Sequence, residues 1–352
     1  MIDPLQNALD AIGGAVSDDL SKAKARGLMR GYHAKWESSD WVTEQVEESF
    51  QLPIINPETG RSSRTFTYGG VRDGLARYVP SDKTWLRELK TCSEDIEDPD
   101  APYWRRLEID AQVSLYVLSQ WQEGFKVAGT MYDVIRKPGI RPKEIARAMR
   151  QQIVAVGTYC GQRVSPEVRR EIASGTERET PELFEYRLTA DCIQESARYF
   201  QRRSIPRMDS ELHEFALELW DTADEIRETR LKSRHVRNSG ACMQWGRPCV
   251  YLPLCSGHDN PESEKWTRRE RVHEEVDGEG DGRDMLTHSS MSTFKTCRRK
   301  YHYRYDLGIE RVEPEDVESL HFGTLIHEAV GAYWNALRCE TTNEEQESLA
   351  NM

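Results

Sequence analysis

The chain has 352 residues, of which 38% are apolar and 31% charged, and its formal net charge is −12. That length suffices for one large domain or two small ones, while the acidic balance excludes a uniformly basic nucleic-acid coat. No apolar run is long enough to span a bilayer, and the opening Met-Ile-Asp-Pro-Leu-Gln-Asn lacks the basic and apolar regions of a signal peptide. The expectation is therefore a cytoplasmic protein with no membrane partner. In that compartment thiols stay reduced, and clustered cysteines usually bind metal.

Residues 4–37 read as helix, with Leu5, Leu9, Ile12 and Val16, then Leu28, Tyr32 and Trp36, at helical spacing; Gly13-Gly14 weakens the middle. Residues 64–79 read as a strand, Pro80-Ser81-Asp82-Lys83 as a turn, and Thr84 to Lys90 as the second strand of a hairpin. Arg105 to Trp121 reads as helix and Lys126 to Arg136 as a third strand, ended by Pro138 and Pro142. Residues 143–235 look largely helical and polar, a helical insertion or lid. Gly246, Pro248 and Pro253 make the segment around Cys242, Cys249 and Cys255 a loop. An acidic Gly-rich linker follows, then two helices, Ser292 to Tyr305 and Val317 to Leu337, and a polar tail. Basic stretches occur at Arg136–Arg150, Gln201–Arg207, Arg227–Arg237 and Lys295–Arg304. Each taken alone reads as a solvated helix face.

Chemistry enters with the hairpin. Strand side chains alternate, so Glu88 and Lys90 share a face, and Asp73 lies on one face of the preceding strand. Pairing of the two strands lets both acids enter one cleft. With the Leu89 carbonyl they make a hard oxygen set suited to Mg²⁺ or Mn²⁺. Lys90 would orient a water or offset charge developing on a phosphate. Gln112 and Tyr116, four apart on a helix, share a face. His327 sits on a helix whose apolar face includes Leu325, Val330 and Trp334. Singly, each of these is common; Glu-x-Lys alone is more often an exposed strand pair.

Together the motifs resemble a known family. Ser290 to Tyr301 is similar to the opening of RecB-like PD-(D/E)XK nucleases, and Leu320 to His327 to their histidine-bearing motif. Asp73 resembles their aspartate, Glu88-x-Lys90 their central motif, and Gln112 and Tyr116 the motif of the RecB branch. Tyr132 to Pro138 and Tyr199 to Arg203 resemble segments of phage and bacterial members with a helical insertion. The resemblance implies an α/β, restriction-endonuclease-like core, a mixed central sheet flanked by helices. It implies that His327, Asp73 and Glu88 hold metal, that Lys90 is catalytic, and that Gln112 and Tyr116 support DNA or the site's geometry. Cys242, Cys249, Cys255 and the distant Cys297 resemble the clasp with which AddB-like and CRISPR-associated RecB-like nucleases hold a [4Fe–4S] cluster. A four-cysteine zinc site is the chemical alternative, since both use soft thiolates. Cys92, Cys160, Cys192 and Cys339 fit no such pattern.

The order of the pieces departs from the family, whose first cysteine and histidine motif precede the strands. A circular permutation accounts for this; a fragment of a tandem array is the rival. The expected division is a nuclease core at 1–137, a helical insertion at 138–240, a three-cysteine loop at 241–256, an acidic linker at 257–286 and the permuted opening helices at 287–352. The function implied is a Mg²⁺- or Mn²⁺-dependent DNA exonuclease of repair, recombination or phage DNA processing. It would act on single strands or DNA ends, with room for a helicase or recombination partner. A non-catalytic DNA-binding module that kept fold and cluster is the alternative, and a zinc-bearing helical scaffold a third reading.

Overall fold

The computed structural model of the protein describes residues 3–244, 246–270, 273, 282–313 and 318–350. Helix α1 (Pro4–Gly14) starts where the Asp3 carboxylate accepts from the Leu5 amide, with proline at its first position. Helix α2 (Asp19–Trp36) is capped by Asp18. The expected weakness at Gly13-Gly14 is a full break between two helices. Next comes β1 (Trp41–Ile55), a strand the sequence did not announce. Its buried residues Thr43, Val46, Phe50 and Ile54 depart from strict alternation, because register shifts interrupt its pairing. β2 (Ser62–Tyr78) and β3 (Lys83–Cys92) form the expected hairpin. The expected single helix over 105–121 is two, α3 (Pro102–Leu107) and α4 (Ala111–Gln122), because Asp110 starts a new cap. They form the crossover to β4 (Gly129–Arg136), which pairs parallel with β3.

The stretch 138–240 is not only helical. Helices α5 (Arg147–Val156), α6 (Pro166–Ala173) and α7 (Pro181–Gln194) are followed by β5 (Phe200–Pro206), which pairs antiparallel with β4 as an edge of the central sheet. α8 (Asp209–Leu231) then packs near α4. The region expected as an appendage thus completes the core. Phe200 is fully buried on the sheet, and only its polar neighbours made the segment look helical. The three-cysteine segment, expected as loop, contains a tiny hairpin, Met243–Gln244 with Arg247–Pro248, and a short helix, Leu252–Ser256. The stretch 257–286 holds β6 (Trp266–Arg268) and β7 (Asp284–Leu286); its most acidic part, 274–281, lies outside the described residues. β7 pairs parallel with β2 and leads into α9 (His288–Thr296). The helix expected over 292–305 breaks at Cys297, whose backbone is extended, and resumes as a short turn, Arg298–Tyr301, and a π-helical turn, His302–Asp306. β8 (Ile309–Arg311) pairs with β6, and α10 (Glu318–Ala350) ends the described chain.

The sheet therefore runs β1-β2-β3-β4-β5, with β7 joined to β2. One face carries Phe50, Tyr68, Leu75, Leu86 and Val134 against α4, α8 and α9; the other carries Val46, Leu89, Ile135 and Phe200 against α1, α2, α7 and α10. No described helix is long and apolar enough to cross a membrane.

A buried polar network sits on the second face. Asp133 of β4 accepts from Tyr32 of α2 (2.6 Å), Arg202 of β5 (2.9 Å) and Arg87 of β3 (3.3 Å). Arg202 and Trp334 of α10 both donate to the Tyr32 hydroxyl, at 2.9 and 3.1 Å. The Arg87 guanidinium lies over the Trp334 ring at 3.9 Å and donates to Thr43 of β1 at 2.9 Å. Asp133 is wholly buried, so removing it strands two guanidinium groups away from water. Asp133→Ala should cost about 3–5 kcal/mol in denaturant unfolding. A loss under about 1 kcal/mol would show that the arginines find other partners and that the network does not hold the sheet.

Candidate active site

The first face of β2 and β3 carries the acids. Their register pairs Gly74 with Arg87 and Leu75 with Leu86, which carried one step further sets Asp73 opposite Glu88. Asp73 Oδ2 accepts from the Leu89 amide at 2.8 Å. Leu89 thus contributes its N–H to the aspartate. The Lys90 ammonium contacts Glu88 Oε1 at 2.8 Å, donates to Gln112 Oε1 at 2.7 Å and lies 3.8 Å from Asp110. Gln112 in turn donates to the Tyr116 hydroxyl at 3.1 Å. One chain of contacts therefore joins Glu88, Lys90, Gln112 and Tyr116. Helix α4 presents the last two because Asp110 caps it, accepting from the Gln112 amide at 2.9 Å. Tyr116 also packs edge-on against Phe50.

The electrostatics of these groups are unfavourable. Burial, opposed by the Leu89 amide and the Lys90 charge, raises Asp73 to about 6. Burial and the neighbouring Asp73 raise Glu88 to about 8. Glu88 Oε2 is buried with no hydrogen-bond partner. Burial alone would pull Lys90 down, but Glu88 and Asp110 outweigh it and the ammonium is held above its usual value. Two desolvated carboxylates that disfavour each other's charge, one with an orphaned oxygen, are a hard oxygen set that a divalent cation would satisfy. Burial and the Glu88 charge raise the Tyr116 phenol, keeping it a neutral donor.

His327 comes from α10, whose N-terminal half passes the ends of β3 and β4; a Cβ on Gly323 would meet Thr91 Oγ1 at 3.5 Å. Burial holds its imidazole below the usual value, and it feels the charges of Glu88, Lys90 and Glu47. It is therefore a neighbour of the acids. The donor atoms of Asp73, Glu88 and His327 do not all fall within 4.8 Å of one another, however.

Three further residues belong to this neighbourhood and were not singled out in the sequence. Asp110, which the expected single helix over 105–121 passed over, reaches Lys90. Glu47 of β1 has a left-handed backbone (φ 45°), and its charge acts on both Asp73 and His327. It lies against Gly331, where a Cβ would stand 3.1 Å from Glu47 Oε1. His288, at the start of α9, is held below its usual value by burial and feels Asp110 and Lys90. It lines a 290 Å³ cavity with Ala111, Ser292, Lys295 and Thr296. No signal marked Glu47 or His288, because β1 was not foreseen and a histidine in a Ser-rich run carries no spacing.

The four cysteines are also gathered. Cys249 N donates to Cys242 O at 2.8 Å across the small hairpin, turned by Gly246 at φ 74°. The Cys255 thiol is pushed up by burial, opposed by Arg299, and feels Cys249, Cys297 and Cys242. All four are half-buried. No three of their sulfurs lie within 4.8 Å of one another. Cys92 and Cys192 are buried and Cys160 is exposed; the side chain of Cys339 lies outside the described residues. Of the basic stretches, Gln201–Arg207 is partly structural, since Arg202 serves the Asp133 network.

No curated protein matches the chain, and no solved structure does. Residues 285–352 match the family model of the PD-(D/E)XK nuclease superfamily. The matched segment holds Cys297 and His327, while Asp73, Glu88 and the other three cysteines of the set lie outside it. The mixed central sheet flanked by helices is consistent with that superfamily's fold, and the match suggests a nuclease.

Proposed function

We propose that the protein is a divalent-cation-dependent deoxyribonuclease, acting on DNA ends or single strands. The observation that carries this reading is the buried Asp73–Glu88 pair, with its orphaned oxygen, wired through Lys90 to Gln112 and Tyr116. Asp73 and Glu88 would hold Mg²⁺ or Mn²⁺, with His327 beside them. Such an ion, when bound, polarises a phosphodiester and lowers the pKa of water. Lys90, held charged by Glu88 and Asp110, orients the attacking water and offsets charge on the phosphate. Gln112 fixes the ammonium's direction, and Tyr116 fixes Gln112. Repair, recombination or phage DNA processing, and a helicase partner, are the settings that the resemblance suggests.

The gathered cysteines are proposed to hold a [4Fe–4S] cluster. What supports the reading is the resemblance of the four-cysteine set to the cluster clasp. The four half-buried thiols come from two distant parts of the chain and lie near enough to feel one another, and four thiolates suit an iron–sulfur cluster as well as zinc. The motif order is proposed to be a circular permutation, supported by α10 packing on β1 and by Cys297 lying near the other three cysteines in one chain.

Lys90→Ala and Glu88→Gln should each reduce Mn²⁺-dependent DNA cleavage by ~10²–10³-fold while leaving the circular dichroism spectrum unchanged. Wild-type rates in Lys90→Ala would refute the mechanism.

The raised carboxylates give a pH signature. A folded pKa above the unfolded one stabilises the protein at low pH, and that contribution is lost as pH rises through the folded value. In chelator, Tm should therefore fall as pH rises through about 6 to about 8. Glu88→Gln should flatten the decline, and Mg²⁺ should oppose it, binding more tightly as pH rises. Equal pH slopes in Glu88→Gln and the parent would show that Glu88 is not strained.

Protein purified without oxygen should contain about four irons per chain and absorb visible light. Cys297→Ser should bleach it and lower Tm. Stoichiometric zinc without iron would rule the cluster out.

A further inference from the structure

A second set of donors shares no residue with either site, although it lies beside the cysteines: Arg237 donates to Cys255 O at 3.0 Å, and Arg299 acts on both His235 and Cys255. Among the described residues, one group of three His, Cys, Asp or Glu donor atoms falls within 4.8 Å, and it is His235, His302 and Asp306. His302 Nδ1 is 3.0 Å from Asp306 Oδ2, and His235 Nδ1 is 4.0 Å from the same oxygen. The other carboxylate oxygen, Oδ1, accepts from Arg230 Nε at 2.8 Å. Arg230 thereby fixes the carboxylate with Oδ2 turned toward both imidazoles, as outer partners do around metal ligands.

Two observations mark this cluster as more than a surface hydrogen bond. His302 and Asp306 are presented by a five-residue π-helical turn, a rare conformation that is frequent at functional sites. His235 Nδ1 is buried and has no hydrogen-bond partner, since 4.0 Å is too far for one. Burial and the neighbouring His302 hold His235 below its usual pKa, so it stays neutral, the form that ligates metal. The cluster borders a 450 Å³ cavity, also lined by His273, Asp284 and Tyr305. The backbone brings the parts together: Arg299 N donates to Val236 O at 3.2 Å and Arg299 Nε to His235 O at 2.8 Å.

We propose that His235, His302 and Asp306 form a further cation site for a transition-metal dication of the Zn²⁺ class, with its remaining position open to the cavity. Two imidazole nitrogens and one carboxylate select such ions over Mg²⁺ or Ca²⁺, which prefer all-oxygen sets. The two rings are stacked, with centroids 3.7 Å apart and planes at 18°. Parallel rings cannot both aim an in-plane lone pair at one ion, so binding turns one imidazole about its Cβ–Cγ bond, into the cavity. The bound ion clamps residues 233–236 after α8 onto the π-helical turn.

The test uses the full chain carrying Glu88→Gln, which removes the principal competing acid, loaded with Co²⁺ and dialysed. The expected result is one cobalt per chain, counted by metal analysis beyond any that the cysteines take with thiolate charge-transfer absorption, and lost in His302→Gln and in His235→Gln. His302→Cys should retain the ion and add a thiolate charge-transfer band. Cobalt found only with thiolate absorption before that substitution belongs to the cysteines and overturns the proposal, as does the absence of bound cobalt. Undiminished cobalt in both folded glutamine variants also overturns it. Should those variants unfold, His302→Cys decides: a bound ion without the new band refutes the site.

Discussion

Asp133 sits between two arginines in a place without water, and the arrangement of the sheet depends on it. The carboxylate belongs to β4, one arginine to β3 and the other to β5, so a single buried charge holds three neighbouring strands in register. Buried ion pairs seldom stabilise more than well-packed apolar groups of the same size would. What they enforce is geometry, since any slip leaves a guanidinium uncompensated. A one-residue slip of β3 would also exchange its faces. Arg87 faces the network, so Glu88 and Lys90 must face the other way, toward α4. The polar core on one side of the strand therefore fixes the cleft on the other.

The same strand carries a second set of buried charges, whose balance is opposite. Around Asp133, cations outnumber the anion, and the aromatic rings of Trp334 and Tyr32 disperse the excess. Around Glu88, carboxylates outnumber the one ammonium, and Glu88 Oε2 has no donor at all. Each set leaves one carboxylate oxygen without a donor, Asp133 Oδ1 and Glu88 Oε2, but the first anion is matched by two arginines of the chain and the second is left in surplus. A desolvated cluster of surplus carboxylates beside a packed core is a place where folding free energy has been given up, and such places cluster at sites of ligand chemistry. Glu47, kept in a left-handed backbone conformation next to Asp73, adds to the same local strain.

Much of this was readable in the sequence where a local rule governed it. The β2–β3 hairpin was announced by a turn between two β-rich runs, and alternation put Glu88 and Lys90 on one face. Spacing of four put Gln112 beside Tyr116, which the contact at 3.1 Å shows directly. What could not be read depended on partners distant in the chain. β1 has no clean alternation because its pairing slips twice, and β5 looked like part of a polar helical stretch because Arg202 and Arg203 are polar. Arg202 is nonetheless buried, for a reason supplied by Asp133, 69 residues away. Single-sequence patterning scores an arginine as surface, and only the partner reverses that. The same limit hid Glu47, His288 and the His235–His302–Asp306 set, whose members meet through loop and π-turn geometry with no periodicity to reveal them.

The chain's second half makes sense as a set of fastenings for the first. β7 adds to β2, α9 covers α4 and encloses the cavity at His288, and α10 lies across β1 and reaches the ends of β3 and β4. Trp334 and Tyr333 of α10 enter the core around Tyr32, so this helix is held by the same network that orients β3. His327 lies about two turns before Trp334 on that helix. Its position beside the acids therefore follows from the packing of Trp334 against Arg87, on the far side of the strand from Glu88. The histidine and the acids come from opposite ends of the sequence, yet their relative placement is fixed by one buried contact network. That coupling requires the closing helix to dock on the sheet. It does not require the helix to come before or after the sheet in the chain, and so a reordered connection can leave the geometry of such a site intact.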